Sequence, residues 1–253
     1  PTPTTAPAGG INGVVRFRGS GVSGVNLQLR RCTGGSCSVV ANAVTGSGGA
    51  YNFTGVPTLP AGYTYHVFFW NHANGGNTPN PNRLAWWRSF DITSYTAGSS
   101  VNGGNFDIGD VVLNSPPHNS SQTLPTTFTW TKRGVSGDRY SWAIASSDLS
   151  TQWCFVDPPA DASSFTLDEY TGGVICSLFY NVPYAWYVYV VNGTWSNGYG
   201  VSYYYRLVTF IPSLMLKENR FLREGDEKPQ PPLMREPFPT EGDLPKPQPP
   251  PEP

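Results

Sequence analysis

From Ser213 to Pro253 the chain has no means of building a core, so whatever folds must do so within the residues before it. Eleven prolines lie between Pro229 and Pro253, and fourteen of the chain's 33 charged residues fall in these last 41 positions. A backbone so rich in proline, with little apolar surface to bury, favours an extended, solvated polyproline II conformation. Leu214, Leu216, Phe221 and Leu222 precede the prolines, and Leu233, Met234, Phe238 and Leu244 punctuate them. Isolated apolar side chains on a polyproline scaffold suit a docking peptide. A plain spacer is the alternative, and Leu214 to Leu222 fits either an added strand or a short helix. Residues 229–253 would reach roughly 78 Å at about 3.1 Å each. A domain of about 100 residues is roughly 35 Å across, so the tail is long enough to lie along a neighbouring copy.

The rest of the chain reads as strands. Val25-Asn26-Leu27-Gln28-Leu29 alternates with period two. Ala50 to Phe53, Tyr63 to Phe69, Phe106 to Leu113, Phe128 to Trp130, Tyr140 to Ile144, Trp186 to Val191 and Tyr203 to Phe210 are rich in β-branched and aromatic residues. Gly, Asn and Ser clusters separate them, and helical periodicity is missing throughout. The expected fold class is all-β: two β-sandwich domains in tandem with an extended Pro-rich C-terminal tail. Residues 1–10 form a Pro/Thr/Ala/Gly arm. Ser115-Pro116-Pro117-His118 is the natural boundary between a first unit, 11–114, and a second, 115–212, with the tail at 213–253.

Four segments of the first unit carry a family resemblance. Ile11 to Val15, Gly24 to Leu29, Gly48 to Pro57 and Ala61 to Tyr65, in that order and spacing, resemble a carboxypeptidase-regulatory-like domain. This is the prealbumin-like sandwich also found in Cna-B-type surface repeats. The match covers roughly residues 10–114 and departs in a long insertion from Asn71 to Val101. It implies a structural or surface module without catalytic residues. Cna-B domains often carry Lys–Asn isopeptide bonds, but Lys132 is the only lysine before the tail and lies outside the match. The second unit is similar to a fibronectin type III or immunoglobulin-like domain in Pro125-x-x-Phe128-x-Trp130, Asp138-x-Tyr140-x-Trp142 and Trp186-x-Val188.

Charge excludes some functions. Lys and Arg number 16 against 17 Asp and Glu, a net charge of −1, with nothing basic enough to hold nucleic acid. No apolar run reaches the length of about 18 residues that a membrane span needs. The sequence begins at Pro1 rather than Met, from which we expect a removed export signal and an extracellular or cell-surface location. The cysteines agree with export. Cys32 and Cys37 flank a four-residue hairpin tip, and Cys154 with Cys176 is the obvious second pair, one of three connectivities. Free thiols are the other reading. A four-cysteine metal site would need Cys-x-x-Cys knuckles, which the sequence lacks.

Catalysis finds no candidate residues. His66, His72 and His118 form no HExxH pattern, and no nucleophile elbow is present. Asp107-Ile108-Gly109-Asp110 and Asp168-Glu169 are the close carboxylate groupings; neither has the spacing of a calcium loop, and both read as exposed turns. No cofactor is expected. Three sequons, at Asn52, Asn119 and Asn192, are glycosylation candidates, with plain turn chemistry as the alternative. Trp70, Trp86 and Trp87 crowd the insertion, where they would cap the sandwich, bury a subunit contact or stack on sugars. Tyr203-Tyr204-Tyr205 alternates across a strand, with at least one ring expected in the core.

The resulting expectation is a non-enzymatic subunit of an extracellular filament, with the three sequons as glycosylation candidates, whose tail docks on other copies of itself. The alternative is a carbohydrate-binding or adhesive module of a larger secreted protein.

Overall fold

Period-two alternation puts every second side chain on the same face of a strand, and in this chain both faces are often apolar. In the computed structural model, residues 9–157, 161–168, 176 and 178–212 are described. They form seventeen strands and only short 3-10 turns, an all-β fold as the alternation predicts. The tail positions, from Leu214 to Leu244, lie outside the described residues, as does most of the N-terminal arm.

One ten-stranded sheet runs through both halves of the chain. Its first-half members are β3 (Asn26–Thr33), β4 (Ser36–Val44), β6 (Thr64–Trp70) and β7 (Trp86–Ser89). Its second-half members are β10 (Ser120–Gln122), β12 (Asp138–Ser146), β13 (Gln152–Val156), β15 (Pro183–Asn192), β16 (Gly198–Val201) and β17 (Arg206–Phe210). The order β4-β3-β6-β7-β16-β15 makes the join: β7, from within the insertion of the first unit, pairs with β16 of the second. Beyond it β15 pairs with β12 along its whole length, and β12 with β13.

Two small sheets pack against this long one. In the first half, β1 (Gly10–Phe17) is flanked by β5 (Ala50–Phe53), β2 (Ser20–Gly21) and the parallel β8 (Ser100–Asp107). In the second, β9 (Val112–Ser115), β11 (Thr126–Thr131) and β14 (Ser164–Leu167) form three strands. Both contribute to a single apolar cluster. Ile11, Val15 and Phe53 meet Leu29, Val67 and Trp87, while Phe128 and Trp130 meet Trp142, Trp186 and Val190. Two sandwiches therefore share one sheet and one continuous core.

Where the halves meet there is no room to spare. A Cβ on Gly200 would stand 2.4 Å from the Trp86 carbonyl oxygen and 3.0 Å from Leu84, so only glycine fits in β16 at this point. Arg133 ties the same junction. Its guanidinium donates to both carboxylate oxygens of Asp138 at 2.5 and 3.1 Å, and to the carbonyls of Asp107 and Gly109 at 2.5 and 3.0 Å. Asp107 in turn accepts from the backbone amides of Arg18, Gly19 and Gly109. Asp107 and Asp110 are thus buried, at 4 % and 6 % exposure, and not the exposed turn residues that their spacing suggests. Asp110 accepts from the Val111 and Tyr203 amides, and its burial pushes the carboxyl well above the usual range.

Both disulfides, Cys32–Cys37 and Cys154–Cys176, pair in sequence order. This bonding fits an oxidising compartment. Among the described residues no helix is long and apolar enough to cross a membrane.

Candidate functional site

The face of the shared sheet opposite the small sheets carries a second apolar cluster, to which neither small sheet contributes a residue. Strand alternation builds it. In β15, Tyr184, Trp186, Val188 and Val190 point into the main core, so Tyr187, Tyr189 and Val191 take the outer face. In β7, Trp87 goes inward and Trp86 outward; in β6, Val67 and Phe69 go inward and Phe68 outward.

The outer rings form a row across the strands. The Arg30 guanidinium lies 3.7 Å from the Phe68 ring centroid, Phe68 stacks on Trp86 at 6.1 Å, and Trp86 meets Tyr199 edge-on at 5.6 Å. Trp195, in the 3-10 turn Trp195–Asn197 that leads into β16, is 4.9 Å from Tyr199, 5.5 Å from Tyr189 and 5.2 Å from Phe155. Tyr187 and Tyr189 stand 5.5 Å apart. Edge-to-face pairs of this kind add about 0.5–1.5 kcal/mol each beyond area burial. Phe68, Trp86, Tyr187, Tyr189 and Tyr199 are all buried, so most of the row is packed interior, and Phe155, Trp195 and Trp70 are its half-buried members.

Polar groups edge the row. The hydroxyls of Tyr187 and Tyr189 both donate to Gln152 Oε1, at 3.1 and 3.2 Å. The Trp195 indole N–H donates to Asp157 Oδ2 at 3.3 Å, and Ser141 Oγ donates to Asp157 Oδ1. Arg88 pairs with Asp91 at 2.6 Å. Near the Arg30 end, His66 is 3 % exposed, with Nδ1 3.5 Å from Cys32 Sγ and 3.8 Å from Asp91. Burial first, and then the Arg88 and Arg30 charges, hold its pKa well below the ordinary value. His66 is therefore neutral at physiological pH, and its approach to Asp91 is not an ion pair. Cys32, Cys37 and His66 form the metal-like grouping found among the described residues, but the two sulfurs are bonded to each other and have no thiolate to offer.

The sequence candidates fall in different places. Trp86 and Trp87 are both buried, at 2 % and 1 % exposure; Trp86 belongs to the outer row, whereas Trp87 stacks on Phe106 at 5.7 Å in the main core. Trp70 is half-buried and stacks on His72 at 5.0 Å, at the margin of the outer cluster. Asn119 is exposed in a turn; Asn192 is half-buried at the end of β15; Asn52 sits half-buried within β5, opposite Asn12. Tyr203, Tyr204 and Tyr205 precede β17 rather than opening it, and none enters the core. Tyr203 and Tyr205 pack against the outer cluster. Tyr187, Tyr189, Tyr199, Phe155 and Trp195 went unnoticed as a group. Their signal was Trp186-Tyr187-Val188-Tyr189, where both phases of a strand are aromatic or apolar, the mark of a strand with work on both faces.

No protein-family model matches the chain, and no curated protein matches it. Among solved structures it is similar to a proposed carbohydrate binding protein from Bacteroides uniformis, at 13% identity over 81% of this chain and 100% of that one, with a TM-score of 0.28. It is also similar to a tetra-tandem repeat from the extending region of a large adhesion protein, at 14% identity over 79% of this chain and 49% of that one, with a TM-score of 0.24. Scores of this size do not establish a shared fold.

Proposed function

We propose that this chain is a non-catalytic subunit of an extracellular filament, and that the outer aromatic row receives the Pro-rich tail of a neighbouring copy. The observation that supports this is the pairing of two features: the half-buried rings of Phe155, Trp195, Trp70, Tyr203 and Tyr205, which pack against the buried members of the outer cluster, and a C-terminal segment of the composition that aromatic surfaces bind. Polyproline segments dock on aromatic-lined grooves because their backbone is already extended and little entropy is lost on binding.

The dimensions agree. From β3 to β13 the row crosses seven strands, about 29 Å at about 4.8 Å per interval. About ten polyproline residues cover that distance, well within the tail. A contact between different surfaces of successive copies does not close on itself and so gives an open polymer. Deleting residues 213–253 should abolish polymers, as seen by electron microscopy and light scattering. Phe155→Ala with Trp195→Ala, both half-buried, should have the same effect with the tail present. Polymers that survive both changes would rule this reading out.

A second reading has its own support. Rings beside carboxylate and amide groups, such as Trp195 with Asp157 and Tyr189 with Gln152, suit stacking on a sugar and hydrogen bonding to its hydroxyls. On this reading the chain is a carbohydrate-binding or adhesive module. Saturable glycan binding, lost in Trp70→Ala or Trp195→Ala and unaffected by tail deletion, would favour it over the filament. Covalent glycans at Asn119 or Asn192 would be compatible with either and would show as a mass increment in protein from its native source.

A further inference from the structure

We infer that β4, at the edge of the shared sheet, is a second assembly surface that pairs antiparallel with the β4 of another copy. Among the described residues β4 pairs with β3 alone. An edge strand normally carries a charge, a proline or a short length to prevent pairing with other chains. This one has nine residues, Ser36-Cys37-Ser38-Val39-Val40-Ala41-Asn42-Ala43-Val44, with no charge and no proline. Its side chains are also apolar where they meet water. Val39 and Val44 are 47 % and 58 % exposed, two of the four large hydrophobic residues exposed among those described.

The one protective device on this edge sets the register instead of blocking it. Leu29 pairs with Ala41 and Arg30 with Val39, so Val40 is a bulge. The bulge brings Val39, Asn42 and Val44 onto the outer face, beside Arg30, Gln28 and Asn26. Ala41 and Ala43 lie opposite Leu29 and Leu27, toward the core. Leaving Val40 out, the faces read outer-inner-outer-inner-outer from Val39 to Val44. That order is the same in both directions. An antiparallel copy centred on Asn42 therefore matches face to face. Each Val39 meets a Val44, each Ala41 meets an Ala43, and the two Asn42 amides meet on the two-fold axis. All four exposed valines are then covered, and no like charges are opposed.

The tail fits this edge less well. Leu214 to Leu222 places Lys217, Glu218 and Arg220 in its middle, and the prolines from Pro229 onward have no N–H to donate. The inference does not depend on tail docking, because it uses the backbone edge of β4, a strand that contributes no ring to the row.

The test uses the full chain. Opposed Cβ atoms in such a pair are roughly 4.5–5.5 Å apart, so in an Asn42→Cys variant a disulfide or a short bifunctional thiol reagent would link two copies. Val112→Cys, at the exposed Val112 of β9, is the control. The four native cysteines are already paired. Linked dimer on non-reducing gels should exceed the control by at least about tenfold, the signature of a raised effective concentration. Adding Val39→Lys and Val44→Lys should return it to the control level with the circular dichroism spectrum unchanged. Equal yields from both cysteine variants, or dimers that persist after the lysine substitutions, would overturn the inference. Loss of polymers on tail deletion with the Asn42 dimer retained would separate this contact from the tail contact.

Discussion

Trp86 and Trp87 are neighbours in sequence and face opposite sides of the shared sheet. Trp87 lies nearly parallel to Phe106, at 5.7 Å and 9°, inside the core, while Trp86 stacks on Phe68, at 6.1 Å and 23°, in the outer row. The two should respond differently to truncation. Trp87→Ala empties the core beneath β8 and should cost about 3–5 kcal/mol, seen as a lower denaturant midpoint. Trp86 is 2 % exposed, so Trp86→Ala should also destabilise, and should in addition impair assembly or ligand binding by loosening the outer row. Equal loss of stability with no change in association would mean that Trp86 is only a packing residue.

Gly200 marks the seam between the two sandwiches. With 2.4 Å between a new Cβ and the Trp86 carbonyl oxygen, Gly200→Ala must push β16 from β7. Overpacking of this kind costs about 1–3 kcal/mol. Faster amide exchange confined to β7 and β16 would place the damage at the seam. Unchanged exchange there would mean that the close approach is not fixed.

Much of the fold is legible in sequence because alternation is a local signal. Leu27 and Leu29 or Trp186 and Val188 declare a strand and its buried face with no knowledge of the partner strand. The joining of the two halves is not local. Nothing in Trp86-Trp87-Arg88-Ser89 indicates pairing with Gly198 to Val201, more than a hundred positions later, and the pair lies inside what reads as an insertion. The outer row is hidden for the same reason. Its rings come from β6, β7, β13, β15 and β16, and only the sheet order brings them together. Asp107 and Asp110 mislead in the opposite way. Their Gly-containing segment looks like an exposed turn, while Arg133, distant in sequence, covers it.

Arg133 should be the costliest charged residue to remove. Its side chain is 1 % exposed and that of Asp138 is 3 % exposed. Removing one member of a buried pair leaves the other charge uncompensated, at about 3–5 kcal/mol. Arg133→Ala and Asp138→Ala should each destabilise strongly, and the double variant should cost clearly less than their sum. Additive losses in chemical denaturation would show that the two groups do not act as a pair.

His66 gives the protein a pH-dependent weakness. Burial, with Arg88 and Arg30 nearby, lowers its pKa in the folded state below the ordinary 6.5. Below about pH 6.5 the unfolded chain gains a proton that the folded chain refuses, so stability falls as pH falls through the window between the ordinary and the lowered pKa. The slope from this one residue is at most about 1.4 kcal/mol per pH unit. Asp110 works in the opposite sense. Its raised pKa means that the folded state holds a proton longer, so its contribution falls as pH rises above the ordinary carboxylate value of 3.8. The overall profile mixes the two, and the His66 share is isolated by difference. Urea midpoints of the parent chain and His66→Gln should diverge progressively below about pH 6.5, with the parent losing more. Parallel midpoints across that range would mean that the imidazole is protonated as readily in the folded protein as in the unfolded chain, with Asp91 at 3.8 Å outweighing burial and the two arginines.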